Sequence, residues 1–363
     1  MADQQSIDVD FEFVTAGTTA EPAPGRLFVD VGNGFGPGVL DHHAPGTPGA
    51  CTAELALRHP EYVLSQVGAA GRVTIVTHQY PDLDAISGAY FALTHLRGQQ
   101  PDAAARAWAA YVCAVDRGDT RLDPARPINP YSVLMMGLNR VADETEDESA
   151  ASQRMLSFGL DFVETILCRT RQGVGLDDAA LLEQVPDFAQ DVRAVLDDHA
   201  RYLDDLARAD QFPCELPRQE GEGTLVVPGL WIERPRARLF KSWARGDTRD
   251  KARPNGYVFT GVQLSDARAI LSVAPDSGVT LRGLGDFLES AETAKRARLG
   301  CPRTGPDREG FDSPDPWYDG RSPFHGYTIV DAPRAGTVLS PAEIRRAFED
   351  FLAFVDRGSM SAD

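Results

Sequence analysis

The first third of the chain alternates short apolar runs with one stretch of helical periodicity. Residues 27–29 and 73–76 are apolar runs bounded by turn-forming residues, which is typical of buried parallel strands. Apolar residues in the segment 84–97 then recur at a helical period. Together with a short strand at 8–14, this pattern predicts an α/β domain with a parallel sheet over residues 1–148.

The rest of the chain changes pattern twice. Two apolar stripes of helical period run through residues 149–209, and they predict a helical connecting region at 149–215. Strand-like runs then mix with helical ones and predict a second, smaller α+β domain at 216–363. Its predicted strands are 224–227, 230–233, 257–262, 269–273 and 327–330, and its predicted helices lie near 281–297 and at 341–356.

Charge and composition restrict the classes of partner and location. The net charge of the 363 residues is −18, so bulk attraction to long double-stranded nucleic acid is not expected. No apolar run of about 18 residues is present, and no membrane association is expected. The first ten residues lack the pattern of a signal peptide. Five scattered cysteines without a C-x-x-C pair predict free thiols in a cytoplasmic protein.

The most informative motif follows the apolar run at 73–76. His78 ends the predicted strand, Asp82 and Asp84 follow, and a helix begins. Ligands bind at the carboxyl ends of strands in α/β sheets, and one imidazole with two carboxylates suits Mn²⁺ or a similar borderline-hard cation. The alternative is that the two aspartates only cap the helix.

A second motif follows the apolar run at 27–29. Asp30 ends that strand, and a glycine-rich loop leads to Asp41, His42 and His43. Alone, a His-His pair is most often part of a surface loop. Here three of the seven histidines lie in two short motifs, each beside carboxylates. This concentration favours a shared metal site over packing.

Taken together, these D-H-H and H-x-x-x-D-x-D motifs resemble those of the DHH phosphoesterase superfamily. It includes manganese-dependent inorganic pyrophosphatases, single-strand exonucleases, oligoribonucleases and cyclic dinucleotide phosphodiesterases. The resemblance implies a DHH-type catalytic domain that binds two Mn²⁺ ions, with Mg²⁺ or Co²⁺ as alternatives. In most members the H-x-x-x-D-x-D motif comes first, whereas here it follows the D-H-H motif.

The resemblance also implies the metal ligands. His78 and Asp82 would bind one ion, His42 and Asp84 would bind the other, and Asp30 would bridge both.

Three further positions would complete the site that the resemblance implies. The fourth family motif is an aspartate at the end of a later helix or strand, for which Asp116 is the best match and Asp119 the alternative. His43 would contact the substrate phosphate, and Asp41 would orient the histidine pair.

The second domain offers a candidate phosphate-binding loop. Arg321, His325 and Arg334 could bind phosphates, and Trp317 or Tyr318 could stack on a base. The alternative is a polar loop whose aromatic side chains pack locally. The basic segment 234–253 is more consistent with a solvated face than with a substrate surface.

These features predict a metal-dependent hydrolase of a phosphoester or phosphoanhydride bond. Its substrate would be a small nucleotide, a short oligonucleotide or a similar phosphorylated molecule, and a homodimer is an open alternative to a monomer. Two other functions stay open at this stage. One is a non-catalytic nucleotide sensor that keeps the fold, and the other is a single structural metal site without turnover.

Overall fold

A computed structural model describes residues 7–43, 50–68, 71–275, 277–305, 314–319 and 328–356. The chain forms two compact units. The first comprises Met1–Thr120 and Arg126–Leu196, and the second comprises Arg121–Ala125 and Asp197–Asp363.

The first unit is built on a mostly parallel sheet. Its strands are β1 (Asp8–Val14), β2 (Arg26–Val29), β3 (Phe35–Gly36), β4 (Val39–Leu40) and β5 (Arg72–His78). Their order across the sheet is β1-β5-β2-β4-β3, and only the β3–β4 pair is antiparallel. The parallel strands β5, β2 and β4 are therefore neighbours and end at one edge.

Helices form the rest of the first unit. They are α1 (Thr52–Arg58), α2 (Pro60–Leu64), α3 (Leu83–Leu96), α4 (Ala103–Asp116), α5 (Pro130–Asp143), α6 (Glu148–Arg171), α7 (Ala180–Glu183) and the start of α8 (Ala189–Arg208). Pro186 begins a 3-10 turn directly before α8. The predicted helical character of residues 149–209 is therefore confirmed.

Close packing around Gly88 positions α3 against two elements that carry site residues. A Cβ atom at Gly88 would lie 2.8 Å from Cγ1 of Val29 on β2 and 2.9 Å from Cγ2 of Thr52 on α1. Only glycine allows this approach without displacing those side chains. The first turn of α3 is thus held beside the ends of β2 and α1.

The second unit contains a mixed sheet with order β10-β9-β8-β7-β6. Its strands are β6 (Asp210–Pro217), β7 (Thr224–Glu233), β8 (Phe259–Ser265), β9 (Arg268–Val273) and β10 (Ile329–Asp331). Only β7 and β8 pair in parallel, and α9 (Phe240–Gly246) connects them. The helices α10 (Leu284–Leu299) and α11 (Pro341–Asp356) complete it, with Phe348 of α11 stacked on Phe259 at 4.5 Å in the core.

The α/β class is confirmed, with differences in the second unit. The two strands predicted at 224–227 and 230–233 are one strand, β7. Strand β6 lies partly within the segment predicted as a helical connection. Two prolines, Pro213 and Pro217, obscure its pattern, but they are tolerated because β6 lies at the edge of the sheet.

The prediction of free thiols is wrong for two of the five cysteines. Cys51 and Cys113 form a disulfide although 62 positions separate them in sequence, because the fold brings the start of α1 against α4. Their Cα atoms are 5.1 Å apart. Cys168, Cys214 and Cys301 are free.

The sequence predicts no membrane association, and the length and hydropathy of the helices bear on that prediction. Among the described residues, no helix is both long and apolar enough to cross a bilayer.

Candidate metal centre

The candidate site lies at the carboxyl edge of the first sheet. Asp30 directly follows β2, Asp41 directly follows β4, and His78 is the last residue of β5. Since these strands are parallel neighbours, their ends place the three side chains on the same side of the sheet.

Asp30 is the residue on which the other site residues converge. Its carboxylate is buried, with Oδ2 at 3.4 Å from Nε2 of His78 and Oδ1 at 3.8 Å from both Nε2 of His42 and Nδ1 of His43. The Thr52 hydroxyl donates to Oδ1 at 2.9 Å. Burial raises the pKa of Asp30, but the hydrogen bond to His78 and the nearby histidine charges outweigh it and lower the pKa to about 2.

The backbone at Asp30 adopts a conformation that few residues other than glycine take. Its φ angle is +60°, and its amide donates to the carbonyl of Leu40 at 3.0 Å. Aspartate and asparagine tolerate this left-handed region better than most side chains, at a cost of about 1 kcal/mol. This turn at the end of β2 sets the position of the Asp30 carboxylate.

Asp30, His78 and Asp82 form the first group of candidate ligands, whose ligand atoms all lie within 4.8 Å of one another. Nδ1–H of His78 donates to the carbonyl of Gln79 at 2.9 Å, which leaves Nε2 directed at Asp30. Burial lowers the pKa of His78, but its hydrogen bond to Asp30 and nearby carboxylates raise it to about 9. We call this group the first subsite.

Asp82 caps α3 and is also a candidate ligand of this subsite. Its Oδ1 accepts the backbone N–H groups of Asp84 and Ala85 at 3.0 and 3.2 Å, so it is the N-cap of α3. The predicted capping by Asp82 is therefore confirmed. It does not exclude ligation, because Oδ2 takes no part in the cap and Asp82 belongs to the first subsite.

His42, Asp84 and Asp116 form a second group, again within 4.8 Å, which we call the second subsite. Nδ1 of His42 lies 3.5 Å from Oδ2 of Asp116 and 4.0 Å from Oδ2 of Asp84. The buried carboxylate of Asp84 accepts the backbone N–H groups of Thr52 and Ala53, each at 2.8 Å.

Electrostatic repulsion in the second subsite favours a bound cation. Burial, Asp30 and Asp116 raise the pKa of Asp84 well above its usual range. Burial also raises the pKa of Asp116 to about 6, against the opposing effect of His42. A divalent ion would neutralise these crowded carboxylates, and two imidazoles with four carboxylates are a donor set that fits Mn²⁺.

Asp41 and His43 form a hydrogen-bonded pair beside both subsites. Oδ1 of Asp41 accepts Nδ1–H of His43 at 2.7 Å and its backbone N–H at 3.0 Å, while Oδ2 accepts the backbone N–H of Asn33 at 2.7 Å. Burial lowers the pKa of His43, but Asp41 and Asp30 raise it to about 9. These contacts favour the protonated form of the His43 ring. Asp41 orients the His43 ring through the bond to Nδ1, whereas its predicted role for the histidine pair stays a prediction.

The geometry distinguishes Asp116 from its alternative. Asp116 ends α4 and contributes to the second subsite, whereas Asp119 is exposed and pairs with Arg117 at 3.0 Å. Asp119 belongs to none of the ligand groups found among the described residues.

The candidate loop of the second unit is only partly described. Arg321 and His325 lie outside the described residues, and Arg334 is exposed, with its backbone N–H donating to Asp315 at 2.6 Å. The prediction that Trp317 could stack on a base is wrong. Its side chain is buried, and its indole N–H donates to Glu292 at 3.4 Å within the core.

The basic segment 234–253 is also not a simple solvated face. It contains α9, in which Phe240 and Trp243 are buried, and the indole of Trp243 donates to the buried Asp198 at 3.0 Å. Arg249 pairs with Asp247 at 2.6 Å. Several of its exposed arginines therefore also pair with nearby aspartates.

Sequence reasoning missed two features that support the site. Thr52 contacts Asp30 through its hydroxyl and Asp84 through its backbone. The disulfide between Cys51 and Cys113 lies next to it. No local motif marks these residues, because their neighbours in the site are distant in sequence.

Searches against protein-family models, curated proteins and solved structures find no match to this chain.

Proposed function

We propose that this protein is a metal-dependent phosphohydrolase. It cleaves a phosphoester or phosphoanhydride bond in a small nucleotide, a short oligonucleotide or a similar phosphorylated molecule. The observation that carries the proposal is the central position of Asp30. This one carboxylate belongs to the first subsite and also to a further candidate ligand group with His42 and His43, so it lies beside ligands of both subsites.

The ligands fit a pair of divalent ions, with Mn²⁺ as the first choice and Mg²⁺ or Co²⁺ as alternatives. When bound, two such ions would activate water and neutralise charge on the phosphoryl oxygens. His78 and Asp82 would hold the first ion, and His42, Asp84 and Asp116 would hold the second.

His43 falls in a candidate ligand group with Asp30 and His42, and its proposed role is to bind the substrate rather than a metal ion. Against the effect of burial, Asp41 and Asp30 raise the pKa of its ring, which favours the protonated form, and Nε2, which lies 3.0 Å from Nε2 of His42, would be the atom that donates a hydrogen bond to a phosphate oxygen. Asp41 fixes the ring by accepting Nδ1–H. The pair therefore binds and orients an anionic substrate, while the carboxylates of the subsites hold the cations.

The assembly of the motif residues also supports a DHH-type assignment. All the residues that the resemblance implies for catalysis and metal binding gather at one sheet edge, although their order along the chain is reversed. The net charge of −18 supports a small substrate rather than long nucleic acid. A cytoplasmic location and a homodimer stay predictions.

The test is Mn²⁺-dependent turnover by the full chain on an aryl phosphodiester, pyrophosphate, a cyclic dinucleotide and a short oligonucleotide. Asp30→Asn is the main variant, since asparagine also tolerates a positive φ angle. We expect it to lose turnover by at least about 100-fold. Asp119→Asn is the matched control, because this exposed aspartate lies outside both subsites, and it should retain full activity.

Two results would contradict the proposal. Metal-independent turnover, or equal loss in Asp30→Asn and Asp119→Asn, would show that the cluster does not perform the reaction. Tight Mn²⁺ binding without turnover of any substrate would favour the nucleotide sensor instead.

A further inference from the structure

The disulfide joins two segments that position the second subsite. Cys51 is the N-cap of α1, and Cys113 lies on the last turn of α4. Both side chains are buried, and the backbone N–H of Cys51 also donates to Sγ of Cys113 at 3.2 Å. The start of one helix is thus covalently tied to the end of the other.

On the α1 side, the two residues after Cys51 hold the carboxylates of the centre. The backbone N–H groups of Thr52 and Ala53 each donate to one oxygen of Asp84 at 2.8 Å, and the Thr52 hydroxyl donates to Asp30 at 2.9 Å. Any movement at the start of α1 would therefore displace the donors that hold these carboxylates.

On the α4 side, Asp116 lies three residues after Cys113, within one helical turn. Its side chain is 31% exposed and faces His42, so it is the least enclosed carboxylate of the second subsite. Without the disulfide, the last turn of α4 would be free to move relative to α1.

We propose that the Cys51–Cys113 disulfide is a redox-sensitive clamp that holds the second subsite in its metal-binding arrangement. Its reduction weakens binding of the second ion while the first ion stays bound. The inference rests on the proposed metal centre. Cys51, Thr52, Ala53 and Cys113 act as positioning residues through Asp84 and Asp116.

The predicted selectivity follows from where the other ligands lie. His78 ends β5, and Asp82 caps α3, so neither belongs to α1 or α4. Nδ1 of His78 is held by the carbonyl of Gln79, and Asp82 is held by two amides of α3. Asp30, the third ligand of this subsite, is tied to α1 only through the Thr52 hydroxyl and is also anchored at the end of β2 by its backbone bond to Leu40.

The redox step is a thiol–disulfide exchange with a dithiol reductant. One thiolate of the reductant attacks Cys51 or Cys113, the S–S bond breaks, and a mixed disulfide forms. The second thiol of the reductant then displaces the remaining cysteine. The protein gains two electrons and two protons as two thiols, and the reductant becomes a disulfide. Because both sulfurs are buried, exchange requires local opening.

The experiment measures Mn²⁺ binding rather than turnover, so that it does not depend on the substrate. Free and bound Mn²⁺ are quantified by electron paramagnetic resonance in the oxidised full chain, in the dithiol-reduced chain and in Cys51→Ala/Cys113→Ala. The control is Cys168→Ala/Cys301→Ala, which removes two exposed free thiols. Thiol counting in denaturant should give three free cysteines before reduction and five after it.

We expect the oxidised chain and the control to bind two ions, with the spectrum of a coupled pair. The reduced chain and Cys51→Ala/Cys113→Ala should lose the coupled spectrum, with affinity for the second ion about 10- to 100-fold weaker and one tight site retained. Circular dichroism should show that both stay folded.

Three results would overturn the clamp. Unchanged binding of both ions after reduction would show that the disulfide does not position the subsite. Equal loss of both ions would make it a general stabiliser of the fold. Five free thiols in the chain before reduction would show that the disulfide is not formed. Absence of Mn²⁺ binding in every form would instead refute the proposed metal centre, which separates that failure from a failure of the clamp alone.

Discussion

Replacing Asp116 by asparagine should stabilise the metal-free protein and destabilise the metal-bound protein. Burial raises the pKa of Asp116 to about 6 from a usual value of 3.8, against the opposing effect of His42. A difference of about two pKa units corresponds to about 3 kcal/mol. Solvent screens the side chain, which is 31% exposed, so we expect a cost of about 1 kcal/mol for the charged form.

The sign of the pH dependence follows from the raised pKa. Between pH 4 and 6 the folded state of the wild type binds more protons than its unfolded state. As the pH rises through this range, the free energy of unfolding of the wild type therefore falls relative to that of the variant. Below about pH 4 the two proteins should have equal stability, since the carboxyl is protonated in both states. Above about pH 6, metal-free Asp116→Asn should be more stable by about 1 kcal/mol.

Bound Mn²⁺ should reverse this order of stability between the wild type and Asp116→Asn. An ion at 100 times its dissociation constant stabilises the wild type by about 2.7 kcal/mol. If loss of the ligand weakens binding about 100-fold, the variant gains only about 0.4 kcal/mol at the same concentration. The wild type should then be more stable by about 1 kcal/mol.

Urea unfolding from pH 4 to 8, in chelator and in Mn²⁺, measures both effects. Asp119→Asn is the control and should match the wild type in both conditions, because that aspartate is exposed. A variant that is less stable than the wild type in chelator at pH 7.5 would refute the argument that burial penalises the charged Asp116 carboxylate. A variant that keeps its advantage in Mn²⁺ would refute ligation by Asp116.

Three further perturbations test other parts of the site. His43→Gln should lower turnover by about 100- to 10,000-fold with little change in Mn²⁺ affinity. Because the pKa of His43 is raised to about 9, its stabilising effect is present below about pH 6.5 and is lost as pH rises through 9, which denaturation against pH would detect. Cys51→Ala/Cys113→Ala should lower the free energy of unfolding by about 4 kcal/mol, given the 62-residue separation, and equal stability to the oxidised wild type would contradict this. Gly88→Ala, whose methyl would lie 2.8 Å from Val29, should cost about 1 to 3 kcal/mol in thermal denaturation, and an unchanged melting temperature would show that the packing adjusts freely.

The sequence pattern predicts a helix or strand correctly where the residues that carry the pattern are the residues that form the element. The apolar run before His78 and the helical period after Asp84 predict β5 and α3, and the structure contains both. The helix predicted at 341–356 is α11 with the same bounds. In each case the residues that form the element also carry its periodicity.

Features that depend on distant partners could not be predicted in this way. The role of Thr52 requires Asp30 and Asp84, which are 22 and 32 positions away. Trp317 is buried, and its indole N–H donates to Glu292 in α10. The polar residues next to it in the sequence wrongly suggest an accessible side chain. Spacing along the chain carries no information about such contacts.

The reversed motif order does not prevent assembly of the centre, because neighbouring strands rather than consecutive ones determine it. β2 lies between β5 and β4 in the sheet, so Asp30 comes between His78 and the segment from Asp41 to His43. A carboxylate at the end of the middle strand is the one that can reach ligands from both sides. The central position of Asp30 therefore follows from the order β5-β2-β4 across the sheet, and any chain order that keeps these neighbours would place it there.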